Sequence, residues 1–410
     1  MVSRQFPLKG KLVGIIGFNA RPIACSAKKT GAEVFVSDYW GDDDLTACCD
    51  DWVAILTPTP GNRQRQPLNV PIYEGLVDNL MHLTKERELD YVIVGSGFDD
   101  HTEALEPLHE EDLLTGCSPD QMKKARDFPV LSKIAKSLGV QTPRRMIAKT
   151  PFEAIENSEG LHIPYLVRPT HSGGGSGLRL ARSSPDVIRY FGAPEDGQYE
   201  PRVVQEYING TDVSCSVLAA GNLALTVSVQ GQLIGMPSAG RNCDFAYCGN
   251  YYPSGLSAET VTRIAKVSET ISTKLKLHGS VGLDFVVDQS EQIWLMEVNP
   301  RIQGTLELIE TAGGFSVTNL HILASQEILP EKIPEINPGV KMIVYSRCDG
   351  SVPDLAQYPN TVDRTPQGVM VNMRDPICTI IEVGASMKEC YRKACETALA
   401  IQRSVRSKTH

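Results

Sequence analysis

Two short apolar runs joined by a polar turn, Gly282-Leu-Asp284-Phe-Val-Val-Asp288 and Trp294-Leu-Met-Glu297-Val-Asn299-Pro300-Arg301, constrain this chain more than any other stretch. The turn Gln289 to Gln292 predicts a hairpin, and alternation along its second strand puts Glu297 and Asn299 on one face. Glu and Asn flanked by Leu, Met and Val need polar partners if the strand is buried. A hard cation meets that need: magnesium prefers oxygen ligands and keeps phosphates in its shell, so Asp284, Glu297 and Asn299 form a coherent ligand set. Arg301 follows two residues later, placed to neutralise an adjacent anion.

Two weaker signals precede this hairpin. In Tyr165-Leu-Val-Arg168-Pro169-Thr-His-Ser172-Gly173-Gly174-Gly175-Ser176-Gly177, glycines let backbone N–H groups approach phosphate oxygens, and Arg168 on the flanking strand supplies charge. The loop joins two strands and opens no helix, so it is not a Walker A loop; alone it also reads as a flexible hairpin tip. In Val203-Val204-Gln205-Glu206-Tyr207-Ile208-Asn-Gly210-Thr-Asp212, a short strand ends in a turn whose backbone can face a nucleobase edge while Asp212 takes a sugar. An ordinary surface strand has the same look.

Upstream, Lys11 to Asp38 reads as strand, loop, helix, strand. A helix over Tyr73 to Arg87 and a strand Tyr91 to Val94 running into Gly95-Ser96-Gly97 continue the alternation. The expectation is an open parallel sheet with a crevice beyond its strand ends, lined by Gly17 to Arg21, Asp38 to Asp44 and Gly95 to Asp100. Gly17-Phe-Asn-Ala-Arg-Pro22 lacks the G-x-G-x-x-G spacing, which argues against a dinucleotide, and Pro22 suits the first turn of a helix. Asp38 reads equally as a ligand or as a strand-end turn former, and Asp42-Asp43-Asp44 as a solvated turn or helix start.

Ser118 predicts an N-cap with Gln121 completing a capping box, followed by a helix from Val130 to Leu138. Pro330 to Pro338 reads as a linker, and a last helix starts at Ser386 with Met387, Cys390, Tyr391, Ala394, Ala398 and Ile401 on one face.

Composition narrows the class. The chain has 410 residues, 41% of them hydrophobic and 22% charged, enough for two or three cored domains. A net charge of −9 without a basic stripe argues against nucleic-acid partners. Lys123-Lys124 and Arg144-Arg145 read as solvated doublets. No apolar run approaches the roughly 20 residues of a membrane span, and no cleavage-site pattern follows the first one. Eleven cysteines without a C-x-x-C pair suggest neither a disulfide framework nor a zinc ribbon, and the separation of Cys243 from Cys248 favours plain thiols. A reducing cytoplasm is expected.

Taken in order, the glycine-rich hairpin, the Q-E-Y-I hinge and an Asp thirteen residues before the E-V-N-P-R strand resemble the ATP-grasp superfamily. F-N-A-R-P-I, D-Y-W-G-D-D-D-L and D-P-I-C-T-I are similar to a subgroup of predicted ATP-dependent carboligases related to biotin carboxylase. The resemblance implies a mixed α/β and α+β fold. Its parts are an open parallel α/β domain over 1–117, a two-subdomain ATP-grasp domain over 118–330 and a small α+β segment over 331–410. It implies ATP with Mg2+, or Mn2+ in its place. Arg168 and Ser172, Gly173, Gly174, Gly175, Ser176 and Gly177 would clamp phosphate. Gln205, Glu206, Tyr207 and Ile208 would form the adenine hinge and Asp212 would hold ribose. Asp284, Glu297 and Asn299 would bind metal, with Arg301 and Arg168 catalytic.

The implied reaction is ligation of a small carboxylate to an amine through an acyl phosphate, with a homodimer as the implied assembly. Bicarbonate activation and silent nucleotide binding are the alternatives, and no M-K-M biotin attachment tripeptide occurs. Two positions depart from the family: Arg168 stands where lysine is usual, and Phe128 stands where a second lysine is expected, unless Arg126 or Lys133 substitutes.

Overall fold

In a computed structural model of the chain, residues 7–65, 71–161, 163–171, 173–194, 197–241 and 245–407 are described. Among them the strands form four sheets.

The first sheet holds β1 (Leu12–Gly17), β2 (Glu33–Asp38), β3 (Asp51–Ala54), β4 (Tyr91–Val94) and β5 (Leu114–Thr115), all parallel, in the order β3-β2-β1-β4-β5. Helices α1 (Arg21–Lys29), α2 (Ile72–Leu83) and α3 (Glu106–Glu110) alternate with them, which is why β1 is apolar on both faces. Pro22 lies in the first turn of α1. Helix α2 stops short of Arg87 because the Thr84 hydroxyl donates to the Leu80 carbonyl, at 2.9 Å, as the turn closes.

Helix α4 (Pro119–Arg126) carries the expected capping box between Ser118 and Gln121. Helix α5 (Phe128–Ser137) starts two residues earlier than expected because the Asp127 carboxylate accepts from Val130 N at 3.1 Å. There follow β6 (Arg145–Ala148), α6 (Pro151–Asn157), β7 (Tyr165–Pro169), β8 (Arg179–Ala181), α7 (Ser184–Phe191) and β9 (Arg202–Glu206). Their strands make an antiparallel sheet, β6-β9-β7-β8, around a core of its own that includes Ala148, Val167, Val187, Phe191 and Val204.

The third sheet is the largest. It contains β10 (Gly210–Ala220), β11 (Leu223–Ile234), β12 (Tyr247–Tyr252), β13 (His278–Asp288), β14 (Ile293–Asn299) and β15 (Gly339–Tyr345). Interspersed are α8 (Ala258–Leu275), α9 (Leu306–Gly313) and α10 (Val317–Ser325). Short strands β16 (Gly350–Ser351), β17 (Thr361–Val362) and β18 (Met370–Val371) precede β19 (Pro376–Val383), α11 (Met387–Ser404) and β20 (Arg406–Ser407). The sheet order is β14-β13-β10-β11-β12-β15-β19-β17, so its ladder passes straight across the proline-rich stretch; β18-β16-β20 is a small fourth sheet. Helix α11 is capped by Ser386 and buries Cys390, Ala394, Ala398 and Ile401 against β15 and β19.

Two sequence expectations fail in the first unit. Asp42 and Asp44 are buried, not solvated. Their loop packs on the fully buried Arg21, whose guanidinium meets Glu307 at 2.6 Å, Asp363 at 2.7 Å and Asp44 at 3.4 Å. Burial, then the carboxylates of Asp363, Asp38 and Asp44, push Asp42 well above the usual carboxylate range. Cys25 and Cys48 are joined as a disulfide between α1 and the turn after Asp44, a pairing that no local spacing announces. Asp38 takes the turn-former role: its carboxylate accepts from the backbone N–H groups of Ala20, Trp40 and Gly41.

Candidate active site

Strands β13 and β14 set Asp284 directly opposite Glu297 and Gly282 opposite Asn299, and a bulge leaves Met296 unpaired beside them. Asn299 Nδ2 donates to Asp284 Oδ2 at 2.9 Å and to Glu297 Oε1 at 3.3 Å, while Gln232 Nε2 donates to Asp284 Oδ1 at 3.1 Å. Gly282 is required here: the Gln303 amide fills the space a Cβ would take, fixed by bonds to Ser214 and Ser216. Burial and the neighbouring Glu297 push Asp284 up to about 7, so this carboxyl pair repels itself without a cation between. Burial opposes ionisation of Glu297 as well, but Arg126, with Nη1 3.1 Å from Glu297 Oε2, holds it below the ordinary glutamate range.

Arg126 also meets Asp100, and Arg301 Nε lies 3.0 Å from Asp99 Oδ2. The loop after β4 therefore docks on the end of β14 through Arg301 and on α4 through Arg126. Among the described residues no group of three or more His, Cys, Asp or Glu can cage a metal by itself. Asp284 and Glu297 with an amide instead make a two-carboxylate set, which fits magnesium when phosphate completes the shell, provided Asn299 turns its oxygen inward.

The hairpin between β7 and β8 lies against the segment leading into β12. Gly174 O accepts from Tyr247 N at 3.1 Å, and a Cβ on Gly175, whose φ is +76°, would sit 1.8 Å from Phe245 O. Ser176 N closes a turn onto Gly173 O at 3.1 Å, and Gly177 also has positive φ. Ser172 lies outside the described residues, as does Cys243. Arg168 on β7 reaches Gln205 Oε1 at 3.4 Å. Glu206 is tied to β6 by Arg144, whose N donates to Glu206 Oε2 at 3.0 Å, and Tyr207 packs its ring edge-on to Phe245. Ile208 is half-buried just ahead of β10. A cavity of about 460 Å³ opens at this hinge, lined in part by Leu180, Glu206 and Tyr207. Asp212 on β10 is pushed up to about 6 by burial.

Arg145 was not singled out by the sequence, which read Arg144-Arg145 as a solvated doublet. Alternation already forbids one face for both. Arg144 pairs with Glu206, whereas the Arg145 guanidinium lies 3.4 Å from the centre of the Phe128 ring. Burial, then Arg168 and Arg126, push Arg145 down to about 9. Lys133 is exposed on α5. The loops of the parallel sheet carry a tier of rings: Trp40 against Tyr39, Tyr39 on Phe18, Phe18 on Tyr73, and Tyr73 stacked on His101 at 3.7 Å. His101 stands 6.2 Å from His171 at the base of the glycine hairpin.

The fold and the site define a protein with a glycine-rich antiparallel lobe, β6-β9-β7-β8, and a strand-borne carboxylate pair, Asp284 and Glu297. Residues 129–305 match the ATP-grasp domain family, so this stretch of the chain is an ATP-grasp domain. The chain is 27% identical over 264 residues to the C-terminal section of the carbamoyl phosphate synthase large chain of Methanopyrus kandleri. It is 21% identical over 266 residues to the carbamoyl phosphate synthase large chain of Clostridium beijerinckii. The matched stretch spans 48% of the first relative and 24% of the second, so the chain corresponds to about half or less of these proteins.

Its fold is shared with an N5-carboxyaminoimidazole ribonucleotide synthetase in complex with ADP: TM-score 0.72, 15% identity, 97% of this chain and 99% of that one. It is also shared with biotin carboxylase of Campylobacter jejuni: TM-score 0.72, 14% identity, 97% of this chain and 92% of that one. Among the described residues no helix is long and apolar enough to cross a membrane.

Proposed function

We propose that this chain is an ATP- and magnesium-dependent ligase that activates a small carboxylate as an acyl phosphate and passes it to an amine, releasing ADP and phosphate. The observation that carries this reading is the meeting of Asp284, Glu297 and Asn299 with the guanidinium of Arg126, beside Arg145 and Arg168. Two anions, a terminal phosphate and a carboxylate, must approach each other, and that requires charge neutralisation from several sides. Magnesium, held by Asp284, Glu297 and Asn299, would supply charge to the phosphate oxygens.

In this reading Gln205, Glu206, Tyr207 and Ile208 present backbone to adenine, Asp212 takes ribose, and Arg168 with residues 172–177 clamps phosphate. Arg301 steadies the acyl phosphate once Asp99 yields it. The hairpin excludes water, since an acyl phosphate exposed to solvent is lost to hydrolysis. Residues 118–330 form the catalytic unit, with 1–117 contributing the acceptor crevice and 331–410 backing the sheet. We place the enzyme in the cytoplasm and allow it a homodimeric state, as named for the biotin carboxylase domain dimer of Hydrogenobacter thermophilus 2-oxoglutarate carboxylase.

The test uses ATP, magnesium and a panel of carboxylates with hydroxylamine as acceptor. Hydroxamate with ADP supports the proposal; AMP with pyrophosphate refutes it. A second reading, bicarbonate as the activated carboxylate, draws on the likeness to carboxylases, one of them solved with bicarbonate bound. Bicarbonate-stimulated ADP release without any other carboxylate selects it. No ADP under any condition selects a silent nucleotide binder.

A further inference from the structure

The charges around Glu297 do not balance. Arg126 is matched by Asp100 and Glu297, at 3.0 and 3.1 Å. Arg168 has only long bonds to neutral acceptors, Gln205 Oε1 and its neighbour's carbonyl, both at 3.4 Å. Among the described residues Arg145 has no side-chain hydrogen bond or ion pair; its contact is the face of Phe128. Burial and like charge push both Arg145 and Arg168 below the ordinary guanidinium range, with Glu297 pulling the other way too weakly to restore it. Two adjacent guanidiniums, one without a hydrogen-bond partner among the described residues and the other with only long bonds to neutral acceptors, suit an anion that carries at least two charges and several oxygens.

The geometry is specific about how Arg145 is held. On β6 it pairs with Gln205 of β9, and Arg168 on β7 reaches that same Gln205 side chain from the opposite side. Phe128 opens α5 immediately after Asp127 caps it, so the ring is fixed to a helix start. An aromatic face attracts a guanidinium without consuming any of its five N–H donors. Phe128 thus gives Arg145 a platform that leaves its donors available.

We propose that Arg145, laid flat on Phe128, binds the terminal phosphates of the nucleotide and forms with Arg168 a two-arginine phosphate clamp. This rests on the nucleotide-binding reading above. Phe128 is a positioning residue; it touches no phosphate.

The experiment is calorimetric titration of the full chain with MgADP, with a non-hydrolysable ATP analogue and with adenosine. Arg145→Gln is expected to weaken both nucleotides by about 10- to 100-fold, as loss of charge-assisted bonds does, while adenosine affinity and the denaturation midpoint stay unchanged. Adding Phe128→Lys to Arg145→Gln is expected to restore nucleotide affinity, and Phe128→Tyr alone to preserve it. Wild-type affinity in Arg145→Gln, or equal loss of adenosine and nucleotide affinity, overturns the clamp while leaving the nucleotide reading intact. A wild-type chain that binds adenosine and neither nucleotide overturns the clamp as well. A wild-type chain that binds none of the three overturns the nucleotide reading itself.

Discussion

Arg301, two residues past the end of β14, and Asp99 on the loop after β4 form an ion pair at 3.0 Å, although 202 positions separate them in the chain. Both side chains are mostly buried, so the pair locks the loop of the parallel sheet onto the end of β14. Replacing Asp99 by Asn keeps an oxygen for Arg301 but removes the charge. Turnover is expected to fall roughly 10- to 100-fold with less than about a threefold change in nucleotide affinity, because positioning rather than binding is lost. Steady-state ADP release beside calorimetry measures the split; an equal fall in both quantities refutes it.

Glu297→Gln removes one of the two carboxylates facing Asn299. Magnesium-dependent turnover should drop by on the order of 100-fold or more, since the stabilisation of charge developing on the transferred group is lost. Nucleotide affinity should change far less. Near-normal magnesium-dependent ADP formation in this variant would require a different ligand set.

Arg21 is enclosed by Asp44, Glu307 and Asp363. Arg21→Met leaves three carboxylates buried without their cation, and a stability loss of about 3–5 kcal/mol is expected at neutral pH. The loss should shrink in mild acid as the stranded carboxyls take up protons. Urea unfolding at two pH values reads both effects, and a loss that grows in acid contradicts the account.

His321 is buried with Nδ1 accepting from Ser280 N at 2.8 Å and Nε2 3.2 Å from Thr115 O, and burial pushes its pKa down to about 4. The neutral ring is the one the fold holds. The unfolded chain takes up this proton near the ordinary value of 6.5, so stability is full above that value. It then declines as pH falls toward about 4, by roughly 3 kcal/mol in all. His321→Asn, which keeps an acceptor for Ser280 and has no titrating ring, should flatten that decline, as pH-dependent denaturation would record.

How far these features could be read from residues alone depended on how local their causes are. Alternation within Glu297-Val298-Asn299 places two candidate ligands together without any knowledge of the fold, and the Ser118 and Gln121 capping box is a four-residue event. The α/β alternation up to β4 is equally local. Asp42 and Asp44 misled because their partner Arg21, and beyond it Asp363, come from elsewhere in the chain. Composition makes three consecutive acids look solvated unless that partner is known. Cys25 and Cys48 pair for the same non-local reason. Arg145 was in plain view, since β alternation sends Arg144 and Arg145 to opposite sides; reading them as a charge doublet hid it.

The ladder from β12 to β15 joins residues 249–252 to 339–342. In the covalent chain the prolines between them resemble a perforation where the protein could be divided. In hydrogen bonds there is no seam. A fragment ending at Pro330 would leave β12 as a naked edge, ready to recruit any strand that offers itself, and so to aggregate.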